Sequence, residues 1–214
     1  MRTLAATAML CVGLAGVGLW TAFARPAGPE ILRLDQPAGG AATPAAGLEK
    51  FRGAEAPKPV PPLTFVDGDG RRADLADFRG RLVLLNLWAT WCGPCVKEMP
   101  SLDRLQAQLG GDAFQVVALS LDRGGRDVVA PFYERTGVKN LSLFLDPASG
   151  AMQTLGLRGL PTTLLVDQEG RELGRVEGAV EWDSPAVTAF LKKHMGGSGG
   201  APQGRGPAVV KTGG

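Results

Sequence analysis

Residues 82–95 read Leu82-Val83-Leu84-Leu85-Asn86-Leu87-Trp88-Ala89-Thr90-Trp91-Cys92-Gly93-Pro94-Cys95, and this stretch decides the fold. Its first half, Leu82–Trp88, is a nearly continuous apolar run, which predicts a strand buried on both faces. Its second half leads into a helical pattern over Gly93–Leu109, where Leu102, Leu105 and Leu109 recur at helical spacing. Cys92 therefore falls at a helix N-terminus. Unpaired backbone N–H groups and the helix dipole favour an anion there, which lowers the thiol's pKa and makes a thiolate available. Pro94 suits the first turn, where its missing N–H is not needed. Cys92 is expected to be exposed and to attack a partner disulfide. Cys95, one turn in and shielded, is expected to resolve the mixed disulfide. The same spacing also serves zinc, but zinc needs two further ligands, and only Cys11 and His194 remain to supply them. A passive structural disulfide is the other alternative.

Outward from this stretch, strand and helix alternate. Leu63–Val66 starts a strand and Asp67-Gly68-Asp69-Gly70 is a turn signal. Ala113–Leu121 is a second central strand, Arg126–Thr136 a helix, Leu141–Leu145 a short strand and Ser149–Leu155 a short helix. Thr162–Asp167 and Glu172–Glu177 flank Gln168-Glu169-Gly170-Arg171 as a hairpin. Asp183 or Ser184 caps a last helix that runs to His194, with Pro185 in its first turn. The alternation predicts an α/β sandwich, and the hairpin before the final helix gives the sheet mixed character. Met99, Met152 and Trp88 read as core. Trp91 reads as a partly exposed wall beside the nucleophile, and Arg71-Arg72 and Lys192-Lys193 as solvated faces.

Composition excludes several classes. The 214 residues are 44% hydrophobic and 21% charged, a globular balance. Lys and Arg number 23 against 21 Asp and Glu, a net charge of +2, which is no footprint for nucleic acid. One histidine cannot build a multi-histidine metal site, and three cysteines cannot build a dense disulfide scaffold.

Residues 1–24 read as a membrane segment. Thr3–Ala24 is 22 residues without a charge, between Arg2 and Arg25, long enough to cross a bilayer core. An uncleaved anchor with the rest of the chain outside is the favoured reading, although Ala22-Phe23-Ala24 has the small-x-small form of a cleavage site. Cys11, inside this run, reads as a small apolar residue. Residues 25–62 hold eight prolines and five glycines and read as a flexible tether, with a short helix near Leu48–Phe51. Residues 63–195 form the domain. Residues 196–214 are Gly-rich and read as a disordered tail.

The motifs resemble those of the thioredoxin superfamily. Leu87 through Cys95 matches its active-site signature, and Pro100 matches the proline of its active-site helix. Gly156-Leu157-Arg158-Gly159-Leu160-Pro161-Thr162-Thr163 matches the loop that carries its cis-proline. Within that superfamily the chain resembles the membrane-anchored, extracytoplasmic TlpA/ResA group. Val96-Lys97-Glu98-Met99-Pro100, the run Leu75–Arg81, the insertion near residues 122–155 and Glu181-Trp182 carry this likeness. Thioredoxin's buried Asp is here Asn86, which cannot take a proton from Cys95. Glu98, three residues along the helix, is the substitute the resemblance suggests, against the default reading of a solvated charge.

The resemblance implies an α/β thioredoxin fold: a central mixed β-sheet flanked by helices on both faces, with an N-terminal β-hairpin and a helix/strand insertion. It implies a thiol:disulfide oxidoreductase without metal or organic cofactor, whose redox group is the Cys92–Cys95 disulfide. Catalysis falls to Cys92, Cys95 and Glu98, and substrate binding to Trp91, Gly93, Pro94, Leu160 and a cis Pro161. The Gly-Pro dipeptide is that of reducing thioredoxins. The expected role is therefore a dithiol reductant of cysteine pairs in cytochrome c or cytochrome oxidase copper-site biogenesis. Its expected setting is the bacterial inner membrane, domain in the periplasm, as a monomer fed by a membrane thiol carrier of the CcdA or DsbD type. An oxidase or isomerase on the same fold is the alternative. A Cu(I) chaperone would resemble Sco-type proteins, whose wider cysteine spacing and histidine are missing here. A peroxiredoxin needs a Thr-x-x-Cys motif, and Thr90 stands two residues from Cys92.

Overall fold

The computed structural model describes residues 47–196. Eight strands form one mixed sheet: β1 (Phe51–Pro59), β2 (Thr64–Asp67), β3 (Arg72–Asp74), β4 (Leu82–Trp88), β5 (Phe114–Ser120), β6 (Phe144–Leu145), β7 (Thr162–Val166) and β8 (Arg171–Glu177). Among the described residues four α-helices accompany them: α1 (Gly93–Leu109), α2 (Arg126–Thr136), α3 (Gly150–Thr154) and α4 (Pro185–Met195). The strand order is β1-β8-β7-β4-β5-β6-β2-β3. The apolar run of β4 lies in the interior of the sheet, parallel to β5 and antiparallel to β7.

The period-2 alternation of strand side chains divides the core. Leu82, Leu84 and Trp88 face one layer, with Cys95, Met99, Leu102 and Leu105 of α1, Val129 and Phe132 of α2, and Val187 and Leu191 of α4. Val83, Leu85 and Leu87 face the other, with Leu75 and Phe78 of a short 3-10 helix and Ala151 of α3. Helices therefore cover both faces, as a strand without a polar side requires. Asn86 takes the polar step on the α1 side of β4. Ser184 caps α4, accepting from the Val187 N–H at 3.4 Å, with Pro185 in the first turn.

Two expectations need correction at the N-terminal side of the domain. Phe51–Pro59 is not tether but a strand, and no helix forms near Leu48–Phe51. β1 pairs antiparallel with β8 over Phe51–Gly53 and again at Lys58 and Pro59, with an irregularity between. Its prolines are tolerated because β1 is an edge strand, with no neighbour on its far side needing their N–H groups. Gly174 allows the close approach: a Cβ there would stand 2.6 Å from the Arg52 carbonyl oxygen. Leu48, 1% exposed, belongs to the core. The strand expected over Leu141–Leu145 narrows to Phe144–Leu145. Residues 1–46 and 197–214, which hold the expected membrane segment, most of the tether and nearly all of the tail, lie outside the described residues. Among the described residues no helix is long and apolar enough to cross a membrane.

If Leu48 is core rather than tether, Leu48→Ala should cost about 3 kcal/mol of unfolding free energy, as for other buried leucines. Urea denaturation measures this; a change near zero would return residues 47–59 to the tether.

Candidate active site

β4 ends at Trp88, and four residues later α1 begins with Cys92 as its N-cap. The intervening loop is fixed from the neighbouring strand. The Asp122 carboxylate, beyond the end of β5, accepts from the Thr90 N–H at 2.9 Å, the Thr90 hydroxyl at 2.6 Å and the Ser120 hydroxyl at 2.9 Å. Trp88 stacks on Tyr133 at 5.8 Å between ring centroids and packs on Phe132 at 5.3 Å, tying the end of β4 to α2.

Cys92 and Cys95 form a disulfide. The Cys92 sulfur also accepts the Cys95 backbone N–H at 3.3 Å, so one free donor of the first helical turn points at it. Cys92 is less open than expected: 7% of its surface is exposed, while Cys95 is fully enclosed. Exposure of Cys92 is thus not found; it is a buried residue that lines a surface groove, whereas Cys95 does not line it. Gly93 and Pro94 lie exposed beside Cys92, and Trp91 is 71% exposed. The Leu160–Pro161 peptide bond is cis.

Trp91, Cys92 and Leu160 share a cavity of about 430 Å³ with Leu121, Ser149, Met152 and Gly159. Met152 is therefore only part core; it also lines this groove from α3, inside the insertion. Ser149 leads into α3 in a left-handed conformation, φ 55°, and its hydroxyl donates to the Leu121 carbonyl at 3.2 Å. The groove wall is mainly apolar and opens on Cys92, which suits an extended polypeptide around a disulfide.

Three residues after Cys95 on α1 stands Glu98, which is no solvated charge: it is 2% exposed. Asn86 Nδ2–H donates to its Oε1 at 2.8 Å. The Val180 N–H and the Trp182 indole N–H donate to its Oε2 at 3.1 and 3.0 Å. Burial raises its pKa to about 7, against the pull of the bonds from Trp182, Asn86 and Val180 and of the Lys50 charge. Desolvation thus outweighs three donors and leaves the carboxyl poised to exchange a proton near neutral pH.

This site lies on a sequence with matching relatives. The Redoxin family matches residues 55–191. The chain belongs to the Redoxin family. Thiol-disulfide oxidoreductase ResA of Bacillus thuringiensis subsp. konkukian is 30% identical over 136 residues, 64% of this chain and 76% of that protein. ResA of Bacillus subtilis is 32% identical over 136 residues, 63% of this chain and 73% of its own length. Among solved structures, a thiol:disulfide interchange protein DsbE from Chlorobium tepidum superposes with a TM-score of 0.59 at 27% identity. That match covers 66% of this chain and 99% of the other. This redoxin is a TlpA/ResA-like member of the thioredoxin superfamily with the α/β thioredoxin fold, and it is a thiol:disulfide oxidoreductase.

Of the expected site residues the groove brings together Trp91, Cys92 and Leu160; Gly93, Pro94 and Pro161 adjoin these in the chain, and Cys95 and Glu98 are buried on α1. Sequence reasoning missed Asp122, Leu121, Ser149 and Met152 as parts of the site. It noted Trp182 only for its likeness to the subgroup and saw no partner for Glu98 there.

Because the folded state holds the Glu98 proton more tightly than the unfolded chain, its contribution to stability is present at low pH and is lost as the pH rises through about 7. In the oxidised protein, Glu98→Gln should therefore gain about 3 kcal/mol on the wild type between about pH 4.5 and about pH 7. Denaturant titrations at a series of pH values measure the gap; a gap independent of pH would contradict this assignment.

Proposed function

We propose that the chain is a dithiol reductant working outside the bacterial inner membrane, held there by its N-terminal segment and facing the periplasm as a monomer. Its electrons come from a membrane thiol carrier of the CcdA or DsbD type. Its substrates are cysteine pairs that must be reduced before haem is attached to apocytochrome c or copper is loaded into cytochrome oxidase. Its redox group is the Cys92–Cys95 disulfide. The observation that carries this reading is the unequal placing of the two sulfurs: one opens on an apolar groove, the other is enclosed, three residues before a buried carboxylate on the same helix. The Gly-Pro dipeptide supports the direction, since it is the one found in reducing thioredoxins.

In the reduced protein the Cys92 thiolate attacks one sulfur of a substrate disulfide held along Trp91, Leu160 and Met152. A Cys92–substrate disulfide forms, and the first substrate thiolate leaves. The Cys95 thiol then gives its proton to Glu98, and its sulfur attacks Cys92. The Cys92–Cys95 disulfide closes and the second substrate thiolate departs. Two electrons pass to the substrate, and both of its thiolates take protons from solvent. Glu98 matters at the second attack, because an enclosed thiol does not ionise readily without a nearby base.

The reduction potential of the Cys92–Cys95 pair tests the direction. A reductant should lie near the thioredoxin value of about −270 mV; a value near the DsbA figure of about −120 mV would overturn the reading. A Cys95→Ala variant should hold one or two partners with metal- or haem-binding cysteine pairs as mixed disulfides. Capture of many unrelated secreted proteins would mark an oxidase instead.

A further inference from the structure

The segment between β8 and α4 is fastened along one stripe of α1. Glu98, Ser101 and Arg104 stand three residues apart, on one side of the helix. Glu98 accepts from the Val180 N–H and the Trp182 indole. The Ser101 hydroxyl donates to the Glu98 carbonyl at 2.8 Å and accepts from the Trp182 backbone N–H at 3.1 Å. Arg104 holds Asp183 and, at 2.8 Å, Glu181. Trp182 is thus gripped at its backbone by Ser101, and its flanking residues are gripped by Arg104. The indole itself, 2% exposed, is enclosed in the layer that holds Leu48, Leu84 and Leu191.

An indole so placed has one polar atom, and that atom meets the carboxylate behind the disulfide. Packing alone would be served by phenylalanine. A buried N–H aimed at a buried carboxylate does more: it favours the charged form and fixes which oxygen faces the loop. Few charges face Glu98 from elsewhere. Lys50, from the segment before β1, favours the carboxylate. Cys95 lies three residues back on α1, with Cys92 beyond it. Asn86 of β4 is neutral, as is Thr163 of β7, which accepts the second Asn86 N–H at 2.9 Å. Arg104, Glu181 and Asp183 satisfy one another at the exposed end of the stripe.

We infer that Trp182 is a positioning residue of the redox site: its indole N–H holds Glu98 ready to take the Cys95 proton and so sets the pH range in which the mixed disulfide is resolved. This rests on the reductant reading above, in which Cys95 attacks second. Removing the donor withdraws support from the carboxylate only, so Glu98 is left protonated to a higher pH. The second attack slows near neutrality, whereas the first, made by Cys92 at the mouth of the groove, does not change.

The full chain, reduced and mixed in stopped flow with one equivalent of dithiobis(nitrobenzoate), separates the two attacks. Cys92 releases the first nitrothiobenzoate and Cys95 the second. With Trp182→Phe, the pH midpoint of the second release should rise by about one unit, an approximately fivefold slowing at pH 7 that approaches about tenfold at lower pH, with the first release unchanged. In a Glu98→Gln background, Trp182→Phe should add no further shift. No shift in a folded Trp182→Phe chain, an equal shift of both releases, or a shift that survives Glu98→Gln would each overturn the inference. Absence of a second release from the wild type would instead defeat the reductant reading itself. Should Trp182→Phe fail to fold, the wild type decides through the indole N–H proton resonance of Trp182. The inference requires that resonance to titrate with Glu98; a resonance that ignores Glu98 contradicts it.

Discussion

Cys92 stands at the junction where the fully buried strand β4 turns into the first turn of α1. That one placement organises the site. The first turn of a helix leaves backbone N–H groups without partners, and here one of them points at the Cys92 sulfur. Two effects compete on this atom. Burial, with only 7% of the residue exposed, opposes a thiolate, while the aligned donors and the dipole favour it. The site works only if the second effect wins. The surroundings are arranged to keep the junction rigid: Asp122 fastens Thr90 from the side of β5, and Trp88 locks the end of β4 against α2.

The two sulfurs meet opposite environments only a turn apart. Cys92 looks out on Trp91, Leu160 and Met152, and Cys95 looks into the core. A buried thiol needs a place for its proton, and the sheet offers Asn86 on that side, which can bond but not serve as a base. In the proposed mechanism the base stands on α1 itself, at Glu98. A carboxyl there must be desolvated, so it brings its own donors from three directions of the fold: β4, the Val180 backbone and the Trp182 side chain. The last two arrive from more than eighty residues away in sequence. The C-terminal part of the domain is therefore tied to the chemistry at its centre.

Much of this was legible in the chain. Leu82–Trp88, Gly93–Leu109 and Arg126–Thr136 have in the structure the bounds that their apolar patterns predict. Strongly periodic or fully buried segments announce themselves, because burial dictates their residue types. β1 did not, because its residues are nearly all exposed and its prolines suggest a linker. What holds it is β8, through a glycine whose missing Cβ gives no sign until the two strands are side by side. Asp122 and Trp182 were hidden for a similar reason. A buried hydrogen bond between distant residues has no local pattern, and each of them reads alone as ordinary. The groove likewise joins residues from four loops and one helix, so only Trp91, Cys92 and Leu160 could be placed there in advance.

The decisive quantity is the acidity of the Cys92 thiol in the reduced protein. Ultraviolet thiolate absorbance can be followed against pH in a Cys95→Ala chain, with a Cys92→Ala/Cys95→Ala chain subtracted. Helix donors that prevail over burial predict a midpoint well below the value of about 8.5 for a free cysteine. A midpoint at or above that value would mean that α1 does not activate Cys92, and the account of the site would fail.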